Sequence, residues 1–287
     1  MSSVVQSLVN GALIGCFYAL IAVGFAMVLG VVRVFNIAHG EFMVIGAYVG
    51  YWLWSAHGVN PVLAIPAAML LVAVVGWLTY RVIGRMGEPR GLNGLVVTFG
   101  LSILLQNAMI GAFAADYRLM ASGRLGDSLV LGDIAIGYGR LIIALLSLAV
   151  IGALHWFLNG TYLGHVMRAT TQDRDGAMLM GINVERVDIW AFTLGAALAG
   201  MAGPLFAAMN YVHPAAGRPA TVIAIILTIL GGVGQVRGLL IGGVLLGLLE
   251  AATLLAFGPQ WREPVFFIVL LALMAARPRG LVRGLAT

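Results

Sequence analysis

Four polar side chains lie in or beside apolar stretches of the chain, where they could bind an ion or a polar solute: Asn36, His39, Glu41 and Glu250. An ionisable group near the centre of a bilayer costs roughly 2.5–3.5 kcal/mol on insertion scales, so it usually has a polar partner or faces water. Glu250 lies deep in the apolar run 239–257. The alternatives for it are a structural polar partner, a place on a solute pathway, or a subunit contact.

The other three residues fall where an extended segment is expected to enter a helix. Asn36 is suited to cap that helix, and Glu41 in its first turn would be favoured by the helix dipole. This structural account of the segment needs no function. A helix interrupted within a membrane can instead line a binding site, and a solute with both charges would suit a carboxylate beside a helix N-terminus. Both alternatives stay open for Asn36, His39 and Glu41.

A second group of polar residues forms a dense charged patch between two long apolar runs. Seven charged side chains lie between Thr161 and Asp188. Asp173 is placed to cap a short helix that runs to Met180, with Gly181 as its stop. A helix of that length is marginal by itself. Its support comes either from a partner protein that binds its apolar residues or from the membrane domain, and the residues alone favour neither.

Transmembrane helices must position these side chains. Of the 287 residues, 61% are hydrophobic and 9% are charged, whereas a soluble domain carries roughly 25% charged residues. Apolar runs follow one another with short gaps, which predicts one membrane domain over residues 1–287 with eight or nine crossings. The candidate spans are 8–30, 40–56, 62–83, 92–114, 140–158, 187–209, 219–234, 238–257 and 264–276.

The charge distribution predicts the orientation of the chain. All 16 basic residues are arginine, and the positive-inside rule explains their placement better than nucleic-acid binding does. This rule puts the polar loop, defined as residues 159–186, on the cytoplasmic side.

The sequence gives no sign of catalytic chemistry. There is no phosphate-binding loop and no lysine to build one. His39 and Glu41 lack the second histidine of a zinc motif, and Cys16 is the only cysteine. We therefore expect no metal site, no catalytic residues and no cofactor bound by this chain, which would not be an enzyme.

Several segments match motifs of one transporter family. They read GHVMRATTQD at 164–173, LMGINV at 179–184 and VFNIAHGEFM at 34–43, with shorter matches at 46–48, 98–103, 230–234 and 277–281. Through these segments the chain resembles the permeases of branched-chain amino acid ABC transporters, of the LivH type. The resemblance extends over nearly the whole sequence.

The resemblance implies an all-α ABC importer permease in the bacterial inner (plasma) membrane. Such a subunit would import leucine, isoleucine and valine, driven by ATP hydrolysed on two partner ATPase subunits. A second permease subunit and a periplasmic or extracellular substrate-binding protein would complete the system. The polar loop would contain a cytoplasmic coupling helix, and the residues expected to couple it to the ATPase are Arg168, Thr171, Asp173, Arg174, Asp175, Ala177, Leu179 and Gly181.

Two departures from the family pattern leave the substrate open. The stretch 217–232 lacks the lysine that many relatives carry, and 235–237 replaces a more usual small residue and proline. Urea or short amides remain as substrates of the same machinery. The alternative of a different class is a self-contained secondary transporter, driven by an ion gradient.

Overall fold

A computed structural model describes residues 2–87, 90–120, 127–131 and 134–276. Within these ranges the chain is a helical bundle with one antiparallel hairpin of two short strands. The terminal motif 277–281 lies outside the described residues. The elements are α1 (Ser2–Val32), α2 (His39–His57), α3 (Ile65–Gly84), α4 (Arg90–Phe113), β1 (Ser128–Leu131), β2 (Ile134–Gly137), α5 (Tyr138–Gly160), α6 (Tyr162–Gln172), α7 (Arg174–Leu179), α8 (Val184–Ala207), α9 (Gly217–Gly231), α10 (Val236–Ala256) and α11 (Arg262–Ala276).

The prediction of an all-α membrane protein is confirmed, apart from the hairpin, but the number of crossings is smaller. Seven helices of the described residues are long and apolar enough to span a membrane, so eight or nine was too high. The helix α11 has only 15 residues. The helix α2 has 19 residues, but His39, Glu41 and His57 make its ends polar.

The bundle has two chemically different ends. The carbonyl oxygen of Val31, at the end of α1, accepts a hydrogen bond from Arg174 of the polar loop at 3.4 Å. At the start of α1, the side chain of Gln6 donates to the carbonyl oxygen of Ala135 in β2 at 2.9 Å. We refer to these as the loop end and the hairpin end.

The first four helices and the last four repeat one arrangement in opposite directions. The helix α1 packs on α10 where Gly15 meets Gly243, and α8 packs on α3 at Gly200. The helices α1 and α8 cross each other at Gly24 and Gly195. These contacts bring helix backbones close together, as small residues do in membranes, and they lie within one chain. The order α1–α4 thus corresponds to α8–α11, with each helix reversed.

The helix α2 begins inside the bundle rather than at its end. After α1, residues 33–38 form no helix, and they bring the chain back to His39. The Nε2 atom of His39 lies 2.9 Å from the carbonyl oxygen of Ile21, near the middle of α1. From there α2 runs toward the hairpin end, because Gly46 packs on Gly200 of α8.

The corresponding helix α9 also begins inside the bundle. Its first residue, Gly217, packs against Gly40, and Thr221 Oγ1 accepts a hydrogen bond from the Gly40 amide at 2.8 Å. Val233, just after α9, contacts Gly30 near the loop end of α1. The N-termini of α2 and α9 therefore meet near the centre of the bundle, and the two helices run away from each other.

Candidate functional site

The polar loop folds as the two short helices α6 and α7. The Asp173 carboxylate accepts a hydrogen bond from the Gly176 amide at 3.0 Å and so caps α7. Gly181 follows the helix with φ +82°, a left-handed conformation that glycine adopts without steric cost. The predicted cap and stop of this helix are confirmed.

One side of α7 carries an apolar tip that faces away from the bundle. Leu179 is 89% exposed and Met180 is 84% exposed. Ala177 is only 5% exposed, so it packs inward, and its predicted part in coupling stays a prediction. An exposed apolar group of this kind is typical of a protein-binding surface.

Three other residues predicted for coupling lie on α6 and α7. Arg168 is exposed and donates a hydrogen bond to Asn159 Oδ1 at 2.7 Å. The Thr171 hydroxyl donates to the carbonyl oxygen of Met167 at 2.9 Å, inside its own helix. Asp175 is exposed in the first turn of α7, where an acid is favourable. Arg168 and Asp175 are therefore accessible to a partner, whereas the hydroxyl of Thr171 is already used.

Arg174 points into the bundle rather than toward a partner. Its guanidinium contacts the Asp188 carboxylate at 2.5 and 3.1 Å, and Asp188 on α8 is fully buried. Tyr80 of α3 donates to the same carboxylate at 3.0 Å, and Arg90 of α4 lies 3.4 Å from it. We call these four residues the loop-end cluster. Through it, α7 is tied to α3, α4 and α8.

Glu41 lies between the N-termini of α2 and α9. It is in the first turn of α2, its carboxylate packs against Gly217, and Ser102 Oγ donates to its Oε1 at 3.2 Å. Both helix N-termini carry partial positive charge, so the carboxylate neutralises both. Its other oxygen, Oε2, is buried without a hydrogen-bond partner in the described ranges.

Asn36 and His39 also place unpaired polar atoms in the interior. Asn36 is 1% exposed, and neither polar atom of its amide has a partner among the residues described. It does not cap α2, because Ala38 occupies that position without any side-chain bond. His39 uses Nε2 toward Ile21, while its Nδ1 is unpaired within the same ranges. Buried polar atoms without partners are rare, and polar sites of this kind commonly bind water.

Glu250 has polar partners within the chain, as expected if its role is structural. Its Oε1 lies 2.7 Å from Nε of Arg262, and the Tyr18 hydroxyl donates to its Oε2 at 2.6 Å. Arg262 also donates to the Tyr18 hydroxyl. We call these three residues the cavity cluster, because they line a cavity of about 390 Å³ that reaches the residues of the hairpin end.

The four candidate pathway residues do not form a single site. His39 points toward α1, and Glu41 points toward α4 and α9. Glu250 lies on α10 and lines a cavity to which the other three residues do not contribute. Asn36, His39 and Glu41 lie where the N-termini of α2 and α9 meet, which we call the central junction. Glu250 belongs instead to the cavity cluster.

Comparison with protein families identifies this architecture. The family model described as the permease component of branched-chain amino acid transport systems matches residues 7–274. The chain belongs to this family. No solved structure matches it.

Two curated relatives resemble the permease over almost its whole length. The high-affinity branched-chain amino acid transport permease BraD of Pseudomonas aeruginosa is 33% identical, covering 96% of this chain and 95% of BraD. LivH of Escherichia coli, of the same description, is 30% identical over 96% of this chain and 94% of LivH. The fructose import permease FrcC of Rhizobium meliloti is 25% identical and covers 84% of the chain and 69% of FrcC. As a member of the family, this permease is a multi-pass protein of the inner membrane.

Sequence reasoning about the permease missed the partners in both clusters. In the sequence, Asp188 counts only as one of the seven charges between Thr161 and Asp188, and nothing distinguishes Tyr18 and Tyr80 from the apolar runs that contain them. One signal was available. Arg90 and Arg262 each stand at the very start of a helical apolar run, where a lone arginine needs a partner if it is not at the membrane surface.

Proposed function

We propose that the chain is the permease subunit of an ABC importer that carries branched-chain amino acids into the cell. The names of BraD and LivH support this substrate class. They favour it over urea or short amides and over a self-contained secondary transporter. In this proposal two partner ATPase subunits bind and hydrolyse ATP, and the chain has no ATPase site and binds no cofactor. A second permease subunit and an external substrate-binding protein complete the importer.

The coupling part of the proposal rests on the two different sides of α7, one exposed and apolar and the other bound to the membrane domain. Leu179 and Met180 project from one side, where an ATPase on the cytoplasmic side can bind them. Arg174 projects from the other side to Asp188. A displacement of α7 by the ATPase therefore acts directly on α8, and through Tyr80 and Arg90 on α3 and α4.

The test is to place a charge on the exposed tip. We expect Leu179→Asp to lower the amount of ATPase recovered with the purified permease by at least tenfold, because a carboxylate would have to be desolvated in an apolar contact. Leu179 has few contacts of its own at 89% exposure, so the variant should fold normally. The measurement is the ATPase-to-permease ratio after affinity purification, with circular dichroism as the fold control.

The matched control uses the same substitution at the other end of the molecule. Leu63 is 73% exposed in the turn before α3, on the hairpin end. Leu63→Asp should leave the ATPase ratio unchanged. Full recovery of ATPase with Leu179→Asp would refute the docking role of α7.

The central junction is proposed as part of the substrate pathway. The unpaired atoms of Asn36, His39 and Glu41 can hydrogen-bond to the polar head of an amino acid when the junction opens. Discontinuous helices serve transporters in this way. Glu250, on the cavity, belongs to the same pathway.

Asn36→Leu separates a pathway role from a structural one. Leucine has nearly the same volume and removes two buried polar atoms that have no partner in the described part of the chain. We therefore expect thermal stability to be unchanged or to rise by about 1 kcal/mol, while ATP-driven leucine uptake falls at least tenfold. Uptake at the wild-type rate in a stable variant would remove Asn36 from the pathway.

A further inference from the structure

The cavity at the hairpin end combines an apolar wall with charged groups. Its apolar lining comes from four helices and the end of α8, and includes Phe17, Ile21, Met43, Phe206 and Ile223. Its charged lining is Arg140, Glu250 and Arg262. A mainly apolar lining with polar groups placed within it is typical of small-molecule sites, and Tyr18, Tyr117, Asn210, Tyr211 and His213 also line this cavity.

The charged groups of the cavity differ in how they are paired. Glu250 is held by Arg262 and Tyr18, whereas Arg140, at the start of α5, has no hydrogen-bond or ion-pair partner in the described ranges. The cavity therefore offers one carboxylate and two guanidinium groups, of which one has no partner among the described residues. This set complements a ligand with one ammonium group and one carboxylate.

The reversed repeat allows the cavity cluster to be compared with the loop-end cluster. Each end of the bundle contains a carboxylate, a tyrosine and an arginine at the first residue of a helix: Glu250, Tyr18 and Arg262 on α10, α1 and α11, against Asp188, Tyr80 and Arg90 on α8, α3 and α4. Because α1 corresponds to α8 and α10 corresponds to α3 in the reversed repeat, the tyrosine of each cluster stands on the helix that corresponds to the carboxylate's helix in the other cluster.

The two clusters differ in what can reach them. Asp188 is 0% exposed and is held by a second arginine, Arg174, from the coupling helix. The Glu250 side chain is 9% exposed and has one arginine, Arg262, and both residues line the cavity. The loop-end cluster is thus closed by the chain itself, whereas the cavity cluster is open to a ligand.

We propose that the cavity binds one zwitterionic amino acid with an apolar side chain. Its ammonium group pairs with Glu250, its carboxylate pairs with Arg140 and Arg262, and its side chain lies on the apolar wall. Glu250 and Arg262 then both remain paired when the ligand replaces the contact between them, so the largely buried Glu250 carboxylate keeps a counter-charge. This inference rests on the proposed function and names the place where the substrate binds.

The first experiment tests whether the cavity recognises both charges of the ligand. Binding of leucine to the full-length chain in lipid nanodiscs is measured by saturation-transfer NMR across the millimolar range. Isopentylamine lacks only the carboxylate, and 4-methylpentanoate lacks only the ammonium group. We expect leucine to bind at least tenfold more tightly than either analogue. No saturable leucine binding, or equal binding of all three, would overturn the proposal.

The second experiment assigns each charge to a residue. Glu250→Gln should weaken leucine and isopentylamine tenfold but should not weaken 4-methylpentanoate, because Arg262 is then released from its ion pair, while Arg140→Gln should weaken 4-methylpentanoate and leave isopentylamine unchanged. Because Arg140 has no partner in the described residues, its variant keeps the test available if Glu250→Gln fails to fold. Glu185→Gln is the matched control, since that exposed carboxylate lies in the first turn of α8 and does not line the cavity, and its loss should change nothing.

Uptake by the complete complex distinguishes failure of the site from failure of the function. If wild-type complexes import leucine with ATP, but both variants keep the wild-type KM and the wild-type analogue preferences, the cavity is not the site and the importer remains. If the wild-type complex imports no apolar amino acid with ATP, the proposed function itself fails.

Discussion

Asp188→Asn is expected to abolish ATP-driven uptake and to lower the free energy of unfolding by about 3 kcal/mol. The substitution keeps the size of the side chain but removes the buried carboxylate that contacts both Arg174 and Arg90. The two guanidinium groups would then lose the buried counter-charge that they share. The stability is measured as the thermal midpoint of the purified permease, and the transport as leucine uptake into vesicles that contain the full complex.

The transport loss should exceed what reduced stability explains. Without the Asp188 charge, Arg174 no longer fixes α7 to α8, so ATP hydrolysis should continue while uptake stops. Tyr80→Phe removes only one hydrogen bond to the same carboxylate and should cost about 1 kcal/mol, with partial uptake retained.

A nearby carboxylate provides the control for charge alone. Glu185 lies in the first turn of α8, one turn before Asp188, and is exposed. Glu185→Gln should change stability by only a few tenths of a kcal/mol, roughly the value of an exposed charge at a helix N-terminus. If Asp188→Asn behaved like Glu185→Gln, with coupled uptake intact, the loop-end cluster would have no part in coupling.

Local signals in the sequence were enough to predict much of this architecture. The run 40–56 predicts α2 (His39–His57), and the run 92–114 predicts α4 (Arg90–Phe113), to within two residues at each end. The cap and stop of α7 follow from Asp173 and Gly181, because both effects act within one helical turn. Composition alone predicted that the helices cross a membrane.

Contacts between distant segments could not be predicted in the same way. Tyr18 and Glu250 are 232 positions apart, and Tyr80 and Asp188 are 108 apart. No local pattern connects such residues, because the pairing depends on which helices pack together. The reversed repeat was also hidden, since the tyrosine and the carboxylate of each cluster stand on exchanged helices. Asn36 was predicted as a cap, but the chain turns into α2 two residues later, at Ala38.

Gly40→Val is expected to disrupt the central junction and to cost about 3 kcal/mol of stability, near the upper end for overpacked interiors. A Cβ at Gly40 would overlap the carbonyl oxygen of Gly217 and lie 2.6 Å from Thr221 Oγ1. The nearest atom is backbone at the start of α9, so it cannot turn aside as a flexible side chain could. We expect a lower thermal midpoint and complete loss of uptake.

Gly152→Ala is the matched control, because a Cβ at Gly152 on α5 meets nothing within 4 Å. Alanine favours a helix by about 0.8–1 kcal/mol over glycine, so this variant should be neutral or more stable. Equal thermal midpoints for the Gly40 and Gly152 variants would contradict the close approach of α2 and α9.

Thr221→Ala tests what holds the junction together. It removes the hydroxyl that accepts the hydrogen bond from the Gly40 amide but leaves the two backbones in contact, so it should cost about 1 kcal/mol. If Gly40→Val loses more stability than Thr221→Ala, the close packing of the two helix N-termini maintains the junction, and the hydrogen bond only adds to it. A larger loss at Thr221 would reverse that order and assign the junction to its polar contacts.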